Sequence, residues 1–295
     1  MQVLVHGGAG GAPDDPAPRQ AVVDEAAAAG NACETPQAAV LAAVRRLETD
    51  PRFNAGTGSV VQSDGRIRTD AGLMTSDGAV GAACAMPDVE HAVDVAAAVK
   101  AETPHVMVAG ERAVALADAV GVATDCDLWT PATRERWRSA DPPRDADTSE
   151  QLAWVRDRFG RQGDERDHDT VGAVATDGTR LAAATSTGGR WFALAGRVGD
   201  VPQVGAGFYA TESAAVSATG EGEAIARFGL ARRVAEAVEG GESPQHAADR
   251  VLRGFAAETG GEAGVIVVGA DGQTGAANNT EAMQTAEAAS ESTDG

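Results

Sequence analysis

Two segments in the second half of the chain constrain its fold more than anything else in it: "TVGAVATDGTRLAAATST" at 170–187 and "GVIVVGADGQTGAANN" at 264–279. Each reads as two strand-like runs joined at an Asp-Gly pair, Asp177-Gly178 and Asp271-Gly272. Such a pair supplies the positive φ angles that a tight hairpin turn requires. The runs are apolar over long stretches, so the hairpins need cover on both faces. Helices between them supply it. "GEAIARFGLARRVAEAVEGG" has helical spacing, and "SPQHAADRVLRGFAAETGG" opens with Ser243 as N-cap and Pro244 behind it. In the first half, "VLVHGG" reads as a short strand leading into a Gly-rich turn. "TPQAAVLAAVRRLETD" reads as a helix with Thr35 at its N-cap, Pro36 first, and Val40, Val44 and Leu47 on one face. A further helix is expected over "EHAVDVAAAVKAE". The class that follows is layered α+β.

The junction between the halves is abrupt. From about Thr130 to Asp169 the chain is mostly charged and Pro-containing, broken only by "EQLAWVRDRF", a composition that suits a linker or mobile loop. It runs straight into Thr170 and the apolar strand behind it. At 295 residues, 43% of them hydrophobic, the chain suits one large domain or two small ones with a sizeable core. Its 44 acidic residues against 24 basic give a net charge of −20, and Lys100 is the only lysine. That surface repels nucleic acid and anionic membranes, which need a basic footprint. It reads as a solubility adaptation to a salty cytoplasm, where screening weakens self-repulsion. The longest apolar runs, such as "AVDVAAAV", are too short to span a bilayer, and "MQVLVHGGAGG" lacks the basic flank and apolar stretch of a signal peptide. A cytoplasmic location is expected. Cys33, Cys84 and Cys126 have no C-x-x-C spacing, so no disulfide framework or zinc site is indicated, and they are expected as small core residues.

Familiar nucleophile motifs are missing: there is no G-x-S-x-G elbow, no H-E-x-x-H, and no aligned His/Cys/carboxylate set. "HGGAGG" lacks the Lys-Ser/Thr of a phosphate loop and reads as a plain tight turn. Hydroxyls and glycines gather instead in "DTVGAV", "ATSTGG", "GRVGD" and "SATGEGE". A hydroxyl is a poor nucleophile near neutral pH unless a base takes its proton. A chain-terminal amine, with a pKa of about 7.7 to 8.0, can be that base. Thr170 would therefore serve as nucleophile and base together, provided the chain is cut in front of it.

Those segments, with "GAGFYA", resemble the β-subunit of the plant-type (type 2) asparaginases and isoaspartyl peptidases. This is a family of N-terminal nucleophile hydrolases that also includes the glycosylasparaginases. "VHGGAGG", "RFNAGTGS", "DAGLM" and "PHVMVAGERA" are similar to its α-subunit motifs, in the same order. The resemblance implies a four-layer αββα sandwich, with 1–169 as the α-subunit segment (linker about 130–169) and 170–295 as the β-subunit segment of one domain. It implies self-cleavage between Asp169 and Thr170, then attack by Thr170 on the side-chain amide of L-asparagine or of a β-aspartyl dipeptide.

Thr187 would hold the nucleophile's rotamer, and Thr219 with the Gly220 N–H would form the oxyanion hole. Arg197 and Asp200 would grip the substrate's α-carboxylate and α-ammonium beside Gly222, and Asn54 would support the threonines. No cofactor is implied. "LETDPRFNAG" is similar to a loop whose backbone carbonyls hold sodium in relatives. The partners implied are a small-molecule substrate and a dimer of αβ heterodimers, with neither nucleic acid nor membrane.

Taken singly, each residue has a plainer reading. Thr187 would be an ordinary strand residue, Arg197 and Asp200 a surface pair, Gly220 and Gly222 turn glycines, and Asn54 a cap. Their joint occurrence favours the site. Two departures stand out: Asp169 replaces the glycine usual before the nucleophile, which is similar to the glycosylasparaginase branch, and Glu221 is expected to bring negative charge near the pocket. Glycosylasparaginase activity is therefore the second reading, and an uncleaved amino-acid-binding protein the third.

Overall fold

The computed structural model describes residues 1–143, 146–159 and 170–290. Its elements run β1 (Gln2–Gly10), α1 (Ala17–Asn31), α2 (Pro36–Thr49), β2 (Arg68–Thr75), β3 (Val80–Pro87), α3 (Ala92–Glu102), β4 (Met107–Ala109) and α4 (Glu111–Ala119). There follow α5 (Pro131–Ser139), α6 (Thr148–Phe159), β5 (Val171–Thr176), β6 (Leu181–Thr187), β7 (Phe208–Ala210) and β8 (Ala214–Gly220). The chain closes with α7 (Gly222–Phe228), α8 (Leu230–Glu239), α9 (Pro244–Thr259), β9 (Ala263–Gly269), β10 (Thr274–Asn278) and β11 (Ala282–Ala289).

Both Asp-Gly hairpins form, β5 with β6 and β9 with β10, but in different sheets. One sheet has the order β11-β1-β5-β6-β2-β3-β4 and the other β10-β9-β8-β7. Strands from either side of Thr170 therefore share one sheet, with β5 and β6 between β1 and β2. Period-two alternation divides the apolar residues among three cores. Val3, Val5, Val171, Ala173 and Ala184 pack against α1, α2 and α3. Leu4, Val174, Ala183, Ala215 and Ile266 fill the space between the sheets. Val216, Val265 and Val267 pack under α8 and α9. Small side chains, mostly Ala and Val, let these layers approach closely. The fold is α+β.

The expected caps are in place. Thr35 Oγ1 accepts from the Ala38 N–H at 3.2 Å, and Ser243 Oγ from the His246 N–H at 3.4 Å. Three expectations need correction. The glycines of "HGGAG" do not form a tight turn; they continue β1, with a register shift between His6 and Ala9 that absorbs the two glycines. The segment expected as a linker contains α5 and α6. Thr130 and Thr133 cap α5 reciprocally, at 3.1 and 2.7 Å, and Pro131 occupies its first turn. Of the cysteines only Cys84 is buried; Cys33 and Cys126 are half-exposed, and all three are free. Among the described residues no helix is long and apolar enough to cross a membrane.

Candidate active site

Thr170 lies immediately before β5, buried at 6% exposure. Val171 pairs with Ser186, so one more step of the antiparallel register brings Thr170 opposite Thr187. On its other side Thr187 pairs with Asp70 of β2. Thr170, Thr187 and Asp70 thus stand abreast at the ends of three neighbouring strands. Residues two apart share a face. Thr185 Oγ1 meets Ser217 Oγ of β8 at 3.0 Å, so Thr187 also faces the second sheet, and Thr219, two beyond Ser217, faces back. The fold places the three predicted threonines on facing surfaces of two sheets.

Asn54 holds the turn after Thr187. Its Nδ2 donates to the Gly189 carbonyl at 2.7 Å, its Oδ1 accepts from the Val60 N–H at 3.0 Å, and its carbonyl accepts from the Gly188 N–H at 2.8 Å. The Gly189 N–H in turn donates to Thr187 Oγ1 at 3.0 Å. Across the gap, Thr219 Oγ1 accepts from the Ala9 N–H at 3.3 Å. Gly220 has φ +134, and a Cβ there would lie 2.4 Å from the Glu262 carbonyl oxygen, so only glycine fits.

Arg197 and Asp200 lie on the loop leaving β6. Gly222, which begins α7, is wedged against both: a Cβ there would come within 2.8 Å of Arg197 Nη2 and of Asp200 Oδ1. Arg197 donates from Nε and Nη2 to Glu223 at 2.8 and 2.7 Å, a bidentate fork. Burial opposes ionisation of Glu223, but the hydrogen bonds and charge of Arg197 outweigh it and hold its carboxyl at about 2. Asp200 is different. It is buried, its Oδ2 has no hydrogen-bond partner, and burial raises its pKa to about 6 against the pull of Arg197. An open anionic oxygen beside a half-buried cation is an arrangement that a ligand ammonium would complete.

The sequence reading missed two carboxylates here. Glu221 was expected to bring charge to the pocket, yet its Oε1 takes the Glu262 N–H at 3.3 Å, and it is Glu223 that reaches Arg197. Asp70 lies inside the quoted "DAGLM", where one acid in an apolar strand was the available signal. Burial lifts its pKa to about 7, opposed by the Ala85 N–H that donates to Oδ1 at 2.6 Å and by the charge of Arg197. Asp169 lies outside the described residues.

Among the described residues, the histidine beside the Thr170 main chain is a poor base. His6 is fully buried, its Nε2 is 2.8 Å from Ser217 Oγ, and burial drives its pKa down to about 3 despite the Thr170 main chain. It stays neutral at neutral pH, and its Nε2 is engaged by Ser217.

A two-sheet fold sets hydroxyls facing across a gap, next to a half-buried cation and an open carboxylate oxygen, charges complementary to those of a small zwitterion. The chain belongs to the asparaginase family: the profile of the family described as Asparaginase matches residues 1–294. It is 40% identical over 294 residues to a plant-type L-asparaginase of Pyrobaculum calidifontis, covering 95% of this chain and 94% of that one. Similarity to a plant-type L-asparaginase of Pyrococcus furiosus is 38% over 250 residues, 83% of this chain and 80% of the relative. An isoaspartyl peptidase/L-asparaginase of Danio rerio is 38% identical over 282 residues, 92% and 86% of the two chains.

Proposed function

We propose that the protein is a self-cleaving threonine amidohydrolase that releases L-aspartate from L-asparagine and β-aspartyl dipeptides. The observation that carries this reading is the buried Asp200 carboxylate with an unpartnered oxygen, set beside Arg197. Together they match the α-ammonium and α-carboxylate of a free amino acid. Glu223 occupies the Nε–Nη2 edge of Arg197, so the substrate carboxylate is met from the remaining Nη1–Nη2 edge.

Cleavage between Asp169 and Thr170 frees the Thr170 amine. That amine takes the Oγ proton as Oγ attacks the side-chain carbonyl carbon, and Thr187 holds the hydroxyl in line. Negative charge on the carbonyl oxygen is met by Thr219 Oγ1 and the Gly220 N–H. The intermediate collapses to a β-aspartyl ester as the amine returns its proton to the departing ammonia or amino compound. Water, deprotonated by the same amine, then attacks the ester and restores Thr170. The inert His6 supports this division of labour, because a neutral imidazole with a pKa of about 3 is too weak a base to activate a threonine.

The stacking of helices on two facing sheets is consistent with an αββα sandwich of the N-terminal nucleophile type. We place a dimer of αβ heterodimers, an acid-rich surface adapted to salt, and a cytoplasmic location with this reading. Carbonyl oxygens of Glu48 and Glu90 lie against Gly56, and those of Pro51 and Phe53 against Gly58. Backbone oxygens are donors for hard cations, and a structural sodium ion held by carbonyls of the loop before Asn54 belongs to the same reading. Asp169 before the nucleophile favours glycosylasparaginase as the second reading. N-terminal sequencing should find a chain beginning at Thr170, and aspartate release should be faster from asparagine or a β-aspartyl dipeptide than from a glycosylated asparagine. A single uncut chain with no aspartate released refutes the proposal.

A further inference from the structure

Four aromatic residues, Trp137, Trp154, Trp191 and Phe192, gather in one place that the chemistry above does not use. Phe192 lies on the loop between Thr187 and Arg197, buried at 1% exposure and held at φ +58. Bulky residues rarely adopt that backbone, and one that does is held there by its surroundings. Those surroundings come from the two helices in front of Thr170. Trp154 of α6 meets the Phe192 ring edge-on at 5.5 Å, and Trp137 of α5 stacks on it at 6.1 Å and 26°. The Arg158 guanidinium lies 4.1 Å from the Phe192 ring centre.

A polar thread runs parallel to this stack. Gln151 Oε1 of α6 accepts from Ser63 Oγ at 3.1 Å, and Ser63 Oγ accepts from the Ala195 N–H at 3.0 Å. Beside it, Gln62 Oε1 accepts from the Gly196 N–H at 2.8 Å while Gln62 Nε2 donates to the Arg197 carbonyl at 3.1 Å. Gln151, Trp154 and Arg158 are three and four residues apart, so they form one stripe on α6, and that stripe rests on the loop.

We propose that α5 and α6 are a lasting brace on the Phe192–Arg197 loop rather than a tether left over from cleavage, with Trp154 and Gln151 as positioning residues that hold Arg197 and Asp200 for the substrate. After the cut, the braced loop belongs to the new chain and the brace to the old one. The contact is then noncovalent and must persist for the charged pair to keep its geometry. This inference rests on the substrate reading above for what the loop binds, but not for the brace itself.

The test uses the full chain, allowed to cleave, as wild type and as Trp154→Ala, Gln151→Ala and Trp154→Phe. Three quantities are read: amide hydrogen exchange across residues 191–197, and KM and kcat for L-asparagine. In Trp154→Ala and Gln151→Ala, exchange should quicken and KM rise roughly tenfold with kcat within about twofold, the signature of lost binding rather than lost chemistry. Trp154→Phe should restore most of both. Unchanged exchange overturns the brace, as does faster exchange with an unmoved KM. If Trp154→Ala fails to fold, Gln151→Ala and Trp154→Phe decide alone. If the wild type hydrolyses no amide, the proposed function falls, and the brace stands or falls on exchange.

Discussion

Replacing Asp200 by Asn should make the free protein more stable and the enzyme worse. Asp200 is buried with one oxygen unpartnered, and burial lifts its pKa from 3.8 to about 6. Well below pH 3.8 the carboxyl is protonated in both folded and unfolded chains, and its charge costs nothing. Above pH 6 the unfolded chain ionises freely while the folded one must hold a poorly solvated anion. The stability present at low pH is therefore lost as pH rises through about 6. A pKa rise of about two, at about 1.4 kcal/mol for each, amounts to about 3 kcal/mol at pH 8. Asn carries no charge and should recover up to that amount at pH 8, about half of it at pH 5, and none at the acid end. Urea midpoints of the cleaved, ligand-free protein at those pH values measure it. Substrate binding should move the other way, because removing one member of a buried charge pair costs about 2 to 5 kcal/mol. An Asn variant no more stable than wild type at pH 8 would refute the claim that Asp200 is an anion held open for a ligand.

Gly222→Ala puts a methyl 2.8 Å from both Arg197 Nη2 and Asp200 Oδ1, so KM should rise roughly a hundredfold while cleavage before Thr170 proceeds, as gels and kinetics will show. On the proposed mechanism Thr219→Ala removes an oxyanion donor, and kcat should fall about 10²- to 10³-fold with KM little changed. Asp169→Ala should slow the appearance of the two cleaved chains; processing at the wild-type rate would remove Asp169 from any part in the cut.

Local elements were legible because their signals are local. Thr35 with Pro36 and Ser243 with Pro244 announced α2 and α9, and the Asp-Gly pairs announced both hairpins. Composition misled between 130 and 159, where charge suggested a linker. The helices there are stabilised by contacts that sequence spacing does not display, Trp137 and Trp154 reaching a phenylalanine more than thirty residues further on. β1 ran on through its glycines because β11, at the far end of the chain, pairs with it.

The order of hydroxyls and glycines, and the Thr170 that follows a highly charged stretch, were legible in the sequence alone, because they are properties of residues and their immediate neighbours. Only the tertiary structure decided that Glu223 rather than Glu221 clasps Arg197, that Asp70 stands beside Thr187, and that Asp200 is left with an open oxygen. Those outcomes depend on burial and on partners far away in the chain. A carboxylate's charge state follows from what surrounds it in space, which its position along the chain does not reveal.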